Sequence, residues 1–188
     1  MEKKFVIVTP EMFKSAFLDT FSYSKDKLLA AWDSRKEYTI LIQGNKSREG
    51  LLSTIANKLG LNYMREYWSL DGVFYKYIDT QHFTKYWSFA EYIAVAVEHE
   101  NDIWTSNQEI NKLSIINAPL KVLITYPDKE GVDIHLQSYT EIIKKSDIFS
   151  DFSDHRKQLV IFGLEKDEDI VWEFYLYKQG QFSKLLFH

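Results

Sequence analysis

The stretch Ala94-Val-Ala-Val-Glu98-His99-Glu100 constrains this 188-residue chain more than any other. Tyr92–Glu100 carries the strongest strand signal in it, a short apolar run that turns acidic at its end. Leu120–Tyr126 is a second run of the buried kind. Between them Asn101–Ser106 reads as a turn. Gln108–Ile116 reads as a helix with Ile110, Leu113 and Ile116 or Asn117 facing inward, and Pro119 stops it. Strand, helix and strand in this order make a crossover between parallel strands. Parallel strands are covered by helices on both faces. The expected class is therefore α/β with a mixed sheet.

The other segments fit around that unit. Thr9 is a good N-cap, Pro10 fits a first turn, and Met12, Phe13, Ala16, Phe17 and Phe21 follow at helical spacing. Ser24 suits the cap of a second helix, with Leu28, Leu29 and Trp32 on one face. Tyr38–Ile42 is a short β-branched run that Gly44-Asn45 ends. Ser47 is the expected cap of a helix through Lys58, striped by Leu51, Leu52, Ile55 and Leu59, with Gly60 at its end. Tyr63–Trp68 and Val73–Ile78 read as strands around Ser69-Leu70-Asp71-Gly72. Residues 79–90 form a loop rich in aromatics: His82, Phe83, Tyr86, Trp87 and Phe89. Asp133–Lys145 reads as a helix, Lys157–Leu164 and Ile170–Tyr177 as strands joined by an acidic turn, and Phe182–Phe187 as a last short strand. With no repeat and no linker, one domain over 1–188 is expected: a helical N-terminal segment, 1–45, and an α/β core, 46–188.

Composition removes several chemistries. The chain has no cysteine, which excludes a disulfide scaffold, a thiolate zinc site and a Cys nucleophile. The five His residues show no paired-ligand spacing, and neither a G-x-S-x-G elbow nor a phosphate-binding Gly loop is present. Apolar runs such as Tyr92–Val97 fall well short of the roughly 20 residues of a membrane span. A cytoplasmic protein with no membrane partner is expected. The net charge of −4 is uneven: residues 1–66 hold 11 Lys/Arg against 8 Asp/Glu, and residues 67–188 hold 12 against 19. Aromatics reach 16%, which suits thick cores and contact surfaces.

The acidic strand end carries the chemistry. Side chains alternate along a strand, so Glu98 and Glu100 share a face about 7 Å apart. Like charges that close repel unless a cation or donor intervenes, and a divalent metal is one resolution. Asp71 stands at the start of another strand, and Glu49 lies in the expected first turn of a helix. Each has a plainer explanation. Acids are ordinary at a solvated strand end, Asp71-Gly72 suits a turn, and the helix dipole favours Glu49. His99 alternates to the opposite face, where packing or hydrogen bonding is the expected role.

Glu49 in a helix, Asp71 opening a strand, Glu98-x-Glu100 ending the next, then a helix and the strand Leu120-Lys-Val-Leu-Ile-Thr-Tyr: this order resembles the core of the PD-(D/E)XK nuclease superfamily over about residues 47–126. The resemblance implies a restriction-endonuclease-like core, a mixed central sheet flanked by helices. It also implies Mg²⁺ (or Mn²⁺) held by Asp71 and Glu98, with Glu49 through water. Glu100 stands where the family's Lys usually does, giving the E-x-E variant of some type II restriction endonucleases. It would orient or deprotonate the attacking water. Leu70 stands in place of the family's Pro. Lys112 or Lys121, from neighbouring elements, would supply the missing cation. The implied activity is metal-dependent hydrolysis of DNA phosphodiester bonds, and cutting both strands favours a homodimer. Lys46, Arg48, Lys58 and Arg65 flank the expected acidic site as candidate phosphate contacts. The alternative is a relative that has kept the fold and lost catalysis, acting as a DNA- or protein-binding module.

Overall fold

Thr9 caps the first helix as its sequence predicts: its hydroxyl accepts the Met12 N–H at 3.2 Å, and Pro10 fills the first turn. In the computed structural model, which describes residues 5–77, 90–127, 131–147 and 156–186, this helix (α1) runs unbroken over Pro10–Ala30. Ser24 therefore caps no second helix. No Gly or Pro interrupts residues 11–30, and Phe13, Phe17, Phe21 and Leu28 lie on one continuous buried stripe. Tyr38–Ile42 belongs to a helix as well, α2 (Arg35–Gln43), where its β-branched residues are outweighed by the burial of Tyr38 and Ile42.

The third helix, α3, spans Leu51–Lys58 and starts later than Ser47 predicts. Asn45 takes the capping role locally, its side-chain oxygen accepting both the Ser47 N–H and hydroxyl. The turn then returns from Arg48 to Asn45. Gly50 is the N-cap. Glu49 is thus an exposed loop residue outside the helix.

Then come β1 (Asn62–Tyr67), β2 (Leu70–Tyr77), β3 (Ala90–Glu100), α4 (Ser106–Ile115), β4 (Leu120–Thr125), α5 (Val132–Ser146), β5 (Lys157–Lys166), β6 (Asp169–Lys178) and β7 (Gln181–Lys184). The turn between β1 and β2 is Trp68-Ser69, closed by the Tyr67–Leu70 pair. Asp71-Gly72, which suits a turn by sequence, instead lies inside β2. Gly72 is needed there because a Cβ would stand 2.6 Å from the Tyr63 ring. The aromatic residues 82, 83, 86, 87 and 89 lie outside the described residues.

The seven strands form one mixed sheet in sequence order. β3–β4–β5 are parallel, as the crossover argument requires, and the other neighbours are antiparallel. Phe13, Phe17, Ile42 and Ile55 of α1–α3 cover one face, against Phe74, Val97, Val122 and Ile161. Ile110, Leu113, Tyr139 and Ile143 of α4 and α5 cover the other, against Val73, Ala96, Leu123 and Val160. β4 is buried along its whole length, as a parallel central strand must be. Among the described residues no helix is long and apolar enough to cross a membrane.

Helices α2 and α3 are tied together at two glycines. A Cβ on Gly50 would stand 2.2 Å from the Gly44 backbone nitrogen. Backbone cannot yield as a side chain does, so Gly50→Ala should cost at least about 2 kcal/mol. At this chain length that is roughly 4–8 °C in Tm, measured by calorimetry.

Candidate functional site

The antiparallel register of β2 and β3 pairs Gly72 with Val97. One step further it brings Asp71 beside Glu98. The Asp71 N–H donates to Glu98 Oε2 at 3.3 Å, and the His99 N–H donates to Asp71 Oδ2 at 2.8 Å. Strand alternation puts Glu98 on the face that Ala96 shares with α4. Its carboxylate is buried, 1% exposed.

Helix α4 supplies the cation. Ile110 and Leu113 fix the helix on the sheet. Lys112, between them, reaches Glu98 Oε1 at 2.8 Å and is also hydrogen-bonded to the Glu109 carboxylate, one turn earlier on the same helix. Lys112 thus stands where an ammonium beside the second acid is expected. Lys121 does not: it is buried on β4, with its Nζ 3.5 Å from the Ser114 carbonyl.

Burial sets the electrostatics. It pushes the Glu98 carboxyl upward, and the charges of Asp71 and Glu109 add to this, while Lys112 opposes it. Asp71 is raised by the same desolvation against the His99 N–H, Glu98 and Lys112. Burial acts to lower Lys112, but its two carboxylate partners outweigh it and hold the ammonium charged. Two carboxylates that resist ionising side by side, with one lysine for compensation, form a site that gains from added positive charge.

The other expected members stand apart. Glu100 Oε1 accepts the Asp102 N–H at 2.8 Å, which locks the turn after β3 instead of meeting Glu98. Glu49 is exposed and lines a recess of about 400 Å³ with Lys46, Arg48 and Arg65, a lining that includes neither Asp71 nor Glu98. Among the described residues no three His, Asp or Glu side chains are grouped as a cation cage. Of the candidate phosphate contacts, Arg48 pairs with Glu37 at 2.7 Å and Arg65 with Glu66 at 2.8 Å. Lys46 is exposed. Lys58 lies elsewhere, 3.8 Å from Asp19 of α1.

The opposite face bears out the reading of His99. Its Nε2 meets the Tyr126 hydroxyl at 2.8 Å and its ring stacks on Tyr38. Burial pulls its pKa down to about 3, so the ring is neutral at physiological pH. Two features escaped the sequence reading. Glu109 was legible only as an i, i+3 partner of Lys112. Trp68, 90% exposed at the β1–β2 tip and stacked on Tyr67, sits three residues from Asp71 with φ +57°. Nothing in its flanking residues signals such exposure.

Because the folded state raises the Glu98 pKa above its unfolded value, the stability Glu98 contributes is present at acid pH and lost as pH rises through the folded value. Wild type should lose Tm progressively above about pH 5, and Glu98→Gln should flatten that decline. Lys112→Met should steepen it by removing the compensating charge. Tm measured from pH 5 to 9 tests all three. No protein-family model matches the chain, and no curated protein or solved structure matches it either.

Proposed function

We propose that this chain is a Mg²⁺- or Mn²⁺-dependent, restriction-type endonuclease acting on DNA, with Asp71, Glu98 and Lys112 as its reactive centre. One observation supports the reading: the buried Glu98 carboxylate lies beside Asp71 of the adjacent strand and is paired with a lysine from the crossover helix. The order α3, the meander β1–β2–β3, α4, and β4 parallel to β3 supports a restriction-endonuclease-like core.

The donor set suits a hard divalent cation. Mg²⁺ is commonly held by one or two carboxylates, with water and substrate phosphate completing its shell. Asp71 and Glu98 would hold it, which needs no third acid from Glu49 or Glu100. When bound, such an ion polarises a phosphate and lowers the pKa of a bound water. The chain's own groups do the rest. The His99 N–H fixes the Asp71 carboxylate. Lys112 neutralises Glu98 before substrate arrives, and its charge is close enough to meet that of a scissile phosphate. Glu109 holds Lys112 in place. Lys46, Arg48 and Arg65 offer contacts to a DNA backbone, and Trp68, three residues before Asp71, an exposed stacking surface. Cutting both strands of a duplex would take two copies.

The network of Lys112 with Glu98 and Glu109 also favours a second reading, a catalytically inactive DNA- or protein-binding relative, because Lys112 already compensates the buried charge. Metal separates the two. With a Kd near 1 mM, 10 mM Mg²⁺ or Mn²⁺ should stabilise the active protein by about 1.4 kcal/mol, roughly 3–6 °C in Tm. Asp71→Asn and Glu98→Gln should abolish that shift. Cleavage of plasmid DNA should fall at least about 100-fold in both variants and in Lys112→Ala. A wild type that neither shifts with metal nor cuts DNA sinks the enzymatic reading.

A further inference from the structure

Across the sheet from the acid cluster lies a second opening. It is a recess of about 170 Å³ lined by Trp32, Arg35, Tyr38, Asn101 and Tyr126. Its aromatic walls meet edge to face, with Trp32, Tyr38 and Tyr126 pairwise 5.3–5.4 Å apart at nearly right angles. The walls are fixed from behind. Tyr126 lies against Gly163, where a Cβ would come within 2.7 Å of its ring. Trp32 Nε1 donates to Glu165 Oε2 at 3.1 Å, and the Tyr126 hydroxyl is held by His99. Asn101 is anchored through its amide to Thr39 Oγ1 at 2.7 Å. Asn101 and Tyr126 follow the carboxyl ends of the parallel strands β3 and β4, where open α/β sheets place their ligands.

Size and charge narrow the occupant. Drug-sized ligands fill roughly 300–1,000 Å³, so this recess admits about one ring system. An aromatic box suits a cation in general. Here the only charged residue among the described lining residues is Arg35, and it repels one. A flat neutral ring bearing an anionic group satisfies both the walls and Arg35. Asn101 adds the carboxamide that matches the donor and acceptor edges of bases.

We propose that this recess binds the base of a nucleotide, seated against the partly exposed Trp32 ring and bounded by Tyr38 and Tyr126, with Arg35 at its phosphate. The base belongs either to a free nucleotide or to a DNA strand held for cutting. The second source rests on the nuclease reading above. Residue 99 joins the two sites, since its ring supports Tyr126 and its N–H holds Asp71.

The test is a fluorescence titration of the full chain in EDTA, so that no strand is cut. The probes are 2-aminopurine nucleoside 5′-monophosphate and a single-stranded oligonucleotide carrying one 2-aminopurine. Saturable quenching is expected, weakened tenfold or more by Arg35→Ala and by Asn101→Ala, both near the surface of the recess, and unchanged in Glu141→Gln on the exposed surface of α5. Trp32→Phe, which keeps a ring, should weaken it less than Trp32→Ala. Equal affinity for both probes assigns the recess to free nucleotides, and binding of the oligonucleotide alone assigns it to a strand base. Either outcome supports the site. Absence of saturable binding to folded wild type, or binding that Arg35→Ala and Asn101→Ala leave unchanged, overturns it. A protein that binds the probes but neither shifts in Tm with metal nor cuts DNA loses the nuclease reading and keeps this one.

Discussion

The arrangement turns on one buried charge. Glu98 ends a central strand under α4, where a carboxylate left alone would be far costlier than any single apolar contact nearby is favourable. The surrounding structure meets that demand. α4 must lie in the register that delivers Lys112 to Glu98, and Lys112 needs Glu109 on its other side. β2 must pair so that Asp71 gives its N–H to Glu98 while its carboxylate takes the His99 N–H. The apolar contacts of Ile110 and Leu113 supply the energy that holds the helix there. The ion pair selects which helix position does so.

Much of this was legible because it follows from two periodicities. The parallel unit β3–α4–β4 is written in two apolar runs around a helical stripe, and its register follows from burial on both faces. Asp71 and Glu98 were recognisable because each sits where a strand begins or ends, and alternation sends His99 the other way. Lys112 was legible only as one of two lysines, with Lys121, on elements neighbouring the acids, and the structure brings Lys112 alone of the two to Glu98. What sequence could not show depended on longer-range competition. Ser24 and Ser47 are good caps locally, but the Phe stripe of α1 overrides the first. The contact between Gly44 and Gly50 moves the start of α3 past the second and takes Glu49 with it. Glu100 shares a face with Glu98 by period, yet the nearer Asp102 N–H claims it. A pattern fixes the direction a side chain points and leaves its partner to geometry.

One residue's alternation also organises two chemistries. Glu98 and His99 are neighbours in the chain and opposites across the sheet. One faces charge, the other a box of rings, and each is buried. Burial raises the acid's pKa and lowers the base's. Both are therefore pushed toward neutrality by the same loss of water, but only the acid has a charged partner, Lys112, to oppose that push.

The strand order β1 to β7 follows the chain without a skip. Each strand finds its partner across a hairpin or a single crossover, so chain-closure entropy is spent in small steps. The exception is α1, whose Phe17 and Phe21 rest on Trp172 of β6. That contact joins the beginning of the chain to its end. It makes the N-terminal helix a clasp between the two ends of the sequence, so that loosening either end bares apolar surface on the other.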